Sequence, residues 1–288
     1  MASEQSAGYL PGDPRHGLQN EALKDYYRTK PAQWAIYCWD KPGMETARRT
    51  LVAEQNSYVR NFGERVIGYG HFVSDDGRDT LGTSFFMQLD DRAALDKFVT
   101  DEPMNEAGVY QRVEIHRWSN SFQKRAADYA RKGLQQFLCT GPKTGTPEFF
   151  RRHLHAHESY FASYGDSFIF RGPIRSADGA DNIGTALLIE LPNRAAADRF
   201  WNEEPVCQER RVSEGRAHHP VGVRGMTLVA DAALLCKTSI HRVKRVKGEI
   251  RDRAAPGEIS RQSSTRCRAG LGEKEHQAKQ AHHRRSQC

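Results

Sequence analysis

Gly82-Thr83-Ser84-Phe85-Phe86-Met87-Gln88-Leu89 returns 102 residues later as Gly184-Thr185-Ala186-Leu187-Leu188-Ile189-Glu190-Leu191. At the same offset Arg92-Ala93-Ala94-Leu95-Asp96-Lys97-Phe98 becomes Arg194-Ala195-Ala196-Ala197-Asp198-Arg199-Phe200, and Glu102-Pro103 becomes Glu204-Pro205. Gly63-Glu64-Arg65-Val66-Ile67 likewise becomes Gly165-Asp166-Ser167-Phe168-Ile169. A repeat of about 100 residues matches the usual size of a small domain. The sequence therefore implies one fold present twice, and chemistry is to be sought where the copies differ.

Working outward from Gly82, the run Thr80–Leu89 reads as a strand, preceded by a polar hairpin loop at 74–79 and by a second strand over Arg65–Phe72. Gln33–Trp39, rich in aromatic and β-branched residues, is the first strand, and Lys41-Pro42-Gly43 turns the chain. Leu51, Ala53, Tyr58, Val59 and Phe62 recur at roughly helical spacing, with Gly63 placed for a left-handed C-cap. Asp90-Asp91 offers an N-cap to a helix over Arg92–Thr100, Pro103 stops it, and Val109–Trp118 is a fourth strand.

The order β-α-β-β-α-β is ferredoxin-like: an antiparallel sheet with both helices on one face, so that the other face needs cover. Two copies can supply it to each other. The expected class is α+β, two ferredoxin-like βαββαβ repeats packed sheet to sheet as an intrachain dimeric α/β barrel, with a higher oligomer left open. The expected divisions are an extended N-terminal arm over 1–31, a first repeat over 32–118, a linker helix over 119–133, a second repeat over 134–236, and a disordered basic tail over 237–288. The linker helix rests on Phe122, Ala126, Tyr129 and Ala130 at helical spacing.

The net charge of +7 is a property of that tail, where 14 Lys/Arg face 5 Asp/Glu. Residues 1–236 sum to −2, so no specific nucleic-acid partner is expected. No run of about 20 apolar residues is present to span a bilayer, and a cytoplasmic protein without a membrane partner is expected. Six cysteines without C-x-x-C pairs read as reduced thiols, with Cys38 and Cys139 taken to hold the same place in the two copies.

All 27 aromatic residues lie at or before Trp201. Past Cys207 the counterpart of the first copy's last strand is missing from Glu209-Arg210-Arg211-Val212-Ser213-Glu214-Gly215-Arg216-Ala217-His218. Codons chosen for those residues, advanced by one nucleotide, can spell Ser-Gly-Val-Tyr-Arg-Arg-Val-Glu-Leu, close to the missing strand. Two readings stand: residues from about 208 onward are out of frame, or they form a basic tail that binds polyanions without specificity. Met226–Leu235, with its β run Thr227-Leu228-Val229, could pair as a substitute strand.

Ile36-Tyr37-Cys38-Trp39-Asp40-Lys41-Pro42, the strand ending Gly172-Pro173, the Glu-Pro after the second helix, and Ala107-Gly108-Val109-Tyr110-Gln111-Arg112-Val113-Glu114 together resemble the YCII-related (YciI-like) domain of the dimeric α/β-barrel superfamily. The resemblance covers about residues 33–118 and 134–207. It implies an active-site pair made of a His on the first helix and an acid after the second. By position these are His157, followed by Tyr160, and Glu204. The first copy has Gln55 at the His position and keeps Glu102, so only the second copy is expected to be catalytic. The family's described reaction, dehydrochlorination of a chlorinated hydroxyhydroquinone, implies a small aromatic or enol-like substrate and no cofactor.

A histidine beside a carboxylate suits proton abstraction from a phenol or from carbon next to a carbonyl. Arg171 is an accessory candidate as a donor to a leaving chloride, and His71, which stands where the family has Pro, could face either cleft. His153 and His157 share a helix face, but without a third ligand no metal is expected. Tyr37, Trp39, Tyr58, Phe161 and Trp201 are candidates for an aromatic-lined pocket. The two function classes in view are a lyase or isomerase with His157 as base, and a non-catalytic ligand-binding or accessory protein.

Overall fold

The computed structural model describes residues 12–143, 145–206 and 223–229. Eight antiparallel strands close into a barrel in the order β1-β3-β2-β8-β5-β7-β6-β4. In the first half these are β1 (Gln33–Asp40), β2 (Val66–Val73), β3 (Thr80–Gln88) and β4 (Tyr110–Trp118), with α2 (Glu45–Arg60), α3 (Arg92–Thr100) and the single turn α4 (Pro103–Glu106). The second half has β5 (Gln135–Pro142), α5 (Pro147–Ser163), β6 (Phe168–Arg175), β7 (Asn182–Leu191), α6 (Arg194–Asn202) and β8 (Val223–Leu228). A helix α1 (Asn20–Thr29) precedes them all.

The strands read as almost continuous apolar runs because both of their faces are buried. In β3, Phe85 and Met87 face the helices, where they meet Trp34, Ile36, Leu95 and Phe98, while Phe86 faces the barrel interior. A matching cluster under α5 and α6 holds Phe137, Cys139, Phe161, Leu187, Ile189 and Phe200. Between them the interior cluster draws on both halves, with Phe86 and Trp118 against Phe170 at 4.5 and 5.6 Å between ring centroids. The Trp118 indole N–H is satisfied by the carbonyls of Gly172 and Ala186, each at 3.1 Å.

The barrel closes along two seams, β2 with β8 and β4 with β6. Each seam runs past a glycine at the 102-residue spacing. A Cβ on Gly70 would lie 2.5 Å from the Thr227 carbonyl oxygen, and one on Gly172 would lie 1.7 Å from that of Ser119. Only a residue without a side chain lets the neighbouring backbone approach so closely.

Several expectations need correction. The arm over 1–31 is not extended throughout: residues 20–29 are helical, with Glu21 in the first turn, Arg28 in the last, ion pairs Glu21–Lys24 and Asp25–Arg28, and Tyr27 buried. The linker helix over 119–133 is absent, apart from one 3-10 turn at Ala126–Asp128. The amides of Ser119 and Ser121 donate instead to Pro173 and Arg171 carbonyls, extending the β4–β6 seam, and Gln123 at φ 55° breaks any helical run. Pro103 does end α3, and it also begins α4, capped by the Glu102 side chain.

Cys38 and Cys139 are both buried and free, but they are not equivalent. Cys38 faces Thr83, whereas Thr185, which stands 102 residues on from Thr83, faces Gly141. The first strands of the halves are thus related by 103 residues, and Cys139 takes the place of Ile36. The last strand is shifted further. The segment expected to hold it, 209–217, lies outside the described residues, and β8 stands at 223–228, with Met226 paired to Gln136 as Trp118 is paired to Gln33. Of the proposed substitute Met226–Leu235, Met226, Thr227 and Leu228 are in the strand, and residues beyond 229 lie outside the described ones, as do 1–11 and the tail over 237–288.

Candidate functional site

Helix α5 starts with Thr146 as N-cap, its hydroxyl accepting from the Phe149 amide at 3.2 Å, and lays Phe161 on the sheet. One turn earlier on the same face is His157, whose ring meets that of Phe161 edge to face at 4.3 Å. After α6, the chain turns at Glu203 and presents Glu204 beneath α5. His157 Nδ1 and Glu204 Oε1 are 2.7 Å apart. The carboxylate is 5% exposed and the imidazole 35%. Oε1 also accepts the Val206 amide at 3.1 Å, which fixes the carboxylate from the backbone side.

A carboxylate at Nδ1 holds that proton on Nδ1 and leaves Nε2 with its lone pair. Among the described residues no side chain or carbonyl bonds Nε2. The arrangement can therefore take a proton at Nε2 and stabilise the resulting imidazolium through the buried carboxylate.

The first half builds the same positions differently. Gln55 Nε2 donates to Glu102 Oε1 at 2.6 Å and to the Tyr110 hydroxyl at 2.9 Å, while Gln55 Oε1 accepts from the Tyr69 hydroxyl at 2.9 Å. Gln55 is fully buried and Glu102 is 1% exposed. Burial pushes the Glu102 carboxyl up, opposed by the Gln55 amide and the backbone donors of its helix cap. Every polar atom of this amide is used, so nothing remains to move a proton.

Residues 32–119 match the model of the YCII-related domain. That stretch is a YCII-related domain. Among solved structures, 5-chloro-2-hydroxyhydroquinone dehydrochlorinase from Burkholderia phenoliruptrix, in complex with 2,5-dihydroxybenzoquinone, is similar at 21% identity over 32% of this chain and 98% of its own, with a TM-score of 0.30. Chlorite dismutase from Candidatus Nitrospira defluvii, in complex with imidazole, is similar at 11% identity over 74% of this chain and 98% of its own, with a TM-score of 0.47. No curated protein matches the chain.

The YCII-related domain thus carries Gln55, and the His157–Glu204 pair lies in the other half. Tyr160 does not reach that pair: its hydroxyl donates to the Phe200 carbonyl at 2.9 Å, as Tyr58 does to that of Phe98 in the YCII-related domain, also at 2.9 Å. His71 faces neither His157 nor Glu204. It lies under α2, 3.4 Å from Arg48 Nη1 and 3.4 Å from the Thr83 hydroxyl, and burial followed by the Arg48 charge pulls its pKa down to about 4. Arg48 itself is held by Asp40 in a buried, two-pronged ion pair.

Arg171 is placed on β6 with its guanidinium against Phe161, at 5.0 Å from the ring centroid. The five aromatics expected to line one pocket are divided among three clusters: Tyr58 under α2, Tyr37 and Trp39 inside the barrel, Phe161 and Trp201 under α5 and α6. A cleft of about 340 Å³ opens elsewhere, at the barrel end, among Trp39, Asp40, Lys41, Gln111, Arg112 and Arg224. Sequence reasoning gave Arg112 and Arg224 no role. Both guanidinium groups lie over Trp39, at 5.5 and 4.5 Å, and only the strand registers reveal it. Among the described residues no group of three His, Cys, Asp or Glu side chains comes together as metal ligands, and no helix is long and apolar enough to cross a membrane.

Proposed function

We propose that the two halves are copies of one unit, that the second half is an enzyme site, and that His157 is its general base with Glu204 as the orienting carboxylate. The reaction class is a lyase of the dehydrochlorinase type or an isomerase, acting on a small aromatic or enol-like metabolite. The observation that carries this is the 2.7 Å contact between a partly exposed imidazole and a buried carboxylate. The match of the first half to the YCII-related domain supports the substrate class. In an elimination, Nε2 takes the proton of a ring hydroxyl, and the electron pair moves through the ring to the carbon bearing chlorine, which is protonated. Loss of a second hydroxyl proton then drives the breaking of the carbon–chlorine bond, leaving chloride and a quinone. In an isomerisation, Nε2 takes the proton from carbon and returns it at another atom.

The test is His157→Gln, which writes the first half's residue into the second. Chloride release from a chlorinated hydroxyhydroquinone is expected to fall by about 10²- to 10⁴-fold, the usual worth of a positioned base. Unchanged turnover would remove the base assignment. The second reading, a non-catalytic ligand-binding or accessory protein, is favoured by the fully satisfied Gln55 in the YCII-related domain. It predicts ligand binding with no turnover in the wild-type protein.

A further inference from the structure

The Arg171 guanidinium carbon lies 5.0 Å from the ring centroids of Phe122 and Phe161 and 5.3 Å from that of Phe168. Three aromatic faces from β6, α5 and the segment after β4 surround it. Among the described residues its side chain has no hydrogen bond and no ion pair, although its main-chain carbonyl accepts the Ser121 amide at 2.8 Å. Burial pulls its pKa down, and exposed Glu158 acts only at a distance in the other direction. Aromatic faces return to a cation less than the loss of its water and the lack of an acceptor cost.

The first half shows what this position is for. Tyr69 stands opposite Phe85 as Arg171 stands opposite Leu187, 102 residues on in both strands. The Tyr69 hydroxyl reaches Gln55 and Asn56 at 2.9 and 3.0 Å, closing the position from inside. In the second half these three residues are Arg171, His157 and Glu158. The tyrosine that filled the space has become a cation with free donors, one ring away from the imidazole.

We infer that Arg171 is the anion subsite of the His157–Glu204 centre, binding a carboxylate or an ionised ring oxygen of the substrate. The location rests on the reading of that centre as the functional site. The substrate class is thereby narrowed to a small planar anion, whose ring lies against Phe161 while its charged oxygen bonds the guanidinium. The same donors would hold negative charge that develops on the substrate when Nε2 removes a proton.

The full chain is titrated calorimetrically with benzoate and with neutral, isosteric benzamide, and the His157 ring protons are followed by NMR. Benzoate is expected to bind at least about tenfold tighter than benzamide, a gap of roughly 1.4 kcal/mol, and to shift the His157 signals. Arg171→Gln abolishes the preference, Arg171→Lys retains part of it, and Glu158→Gln leaves it or increases it. Equal binding of the two probes, no benzoate binding, or a preference that survives Arg171→Gln would overturn the inference. Should both Arg171 variants fail to fold, the wild-type preference and the His157 shift decide it. His157→Gln separates the two claims: turnover unaffected with the benzoate preference intact sinks the base and leaves the subsite standing.

Discussion

Glu102 and Glu204 are buried carboxylates at the same place in the two halves, each bonded to a backbone amide two or three residues on and to a side chain from the preceding long helix. What differs is the partner, an amide with no free atom against an imidazole whose Nε2 is bonded by none of the described residues. This much was legible in the sequence, because the 102-residue offset sets Gln55 beside His157 and Glu102 beside Glu204. The surroundings were not: the aromatic faces around Arg171 include Phe122, from a segment whose spacing suggests a helix and whose amides pair with β6 instead. His71 carries the clearest residue-scale prediction. Its folded pKa of about 4 lies below its usual 6.5, so the unfolded chain binds the proton first as pH falls. Stability is therefore full above about pH 6.5 and declines toward pH 4, by at most about 3 kcal/mol at 1.36 kcal/mol per unit. Chemical denaturation across that range should show the slope, and His71→Asn should flatten it; an unchanged slope would mean that other groups carry the acid sensitivity.

At the scale of elements, most strand bounds follow from the sequence to within a residue, since two buried faces leave long apolar runs between polar turns. The exceptions share one cause, that tertiary contacts outvote local pattern. Residues 20–29 become a helix because Tyr27 is buried under the Arg175 guanidinium at 3.3 Å, a contact with β6 invisible in the first 31 residues alone. The two seams are the elements' weakest allowance for change. At Gly172 a methyl group would occupy the space of the Ser119 carbonyl, so the β4–β6 seam must part or β6 must shift. Gly172→Ala is expected to destabilise the protein by about 3 kcal/mol or more, the upper range for overpacking. Gly165→Ala, with open space around its new atom, supplies the control. A thermal melt that moves equally little for both would show that the seam is looser than these distances imply.

The eight described strands close into a barrel only because β8 bridges β2 on one side and β5 on the other. The sequence led us to expect a closed barrel in which the counterpart of the first half's last strand is missing and Met226–Leu235 substitutes for it. Strand β8 begins three residues sooner, at Val223, because the last pairing takes whatever residues can bury apolar side chains on the faces of the sheet. Met226 and Leu228 alternate toward the barrel interior while Val223 packs on the other face with the cluster under α5 and α6, all three are buried, and the Leu228 amide donates to the Gln136 side chain at 2.8 Å. The proposal that residues from about 208 are read out of frame makes β8 a substitute for a better strand, with Met226 filling the place that Trp118 has in the first half. Two truncations test how much depends on it. Ending the chain after residue 236 keeps β8 and is expected to leave the melting transition cooperative. Ending it after residue 207 strips β2 and β5 of their shared partner and removes three buried side chains, each worth about 1.5–3 kcal/mol. That loss approaches the whole stability of an ordinary domain, and unpaired edges invite association, so this form is expected to aggregate or to unfold. A soluble monomer with an undiminished melt would show that the barrel does not need β8. A frame-corrected chain, built by shifting the coding sequence by one nucleotide at codon 208, should melt higher than the parent if the lost strand was the native one, and no higher if residues 223–228 are the strand this protein evolved to use.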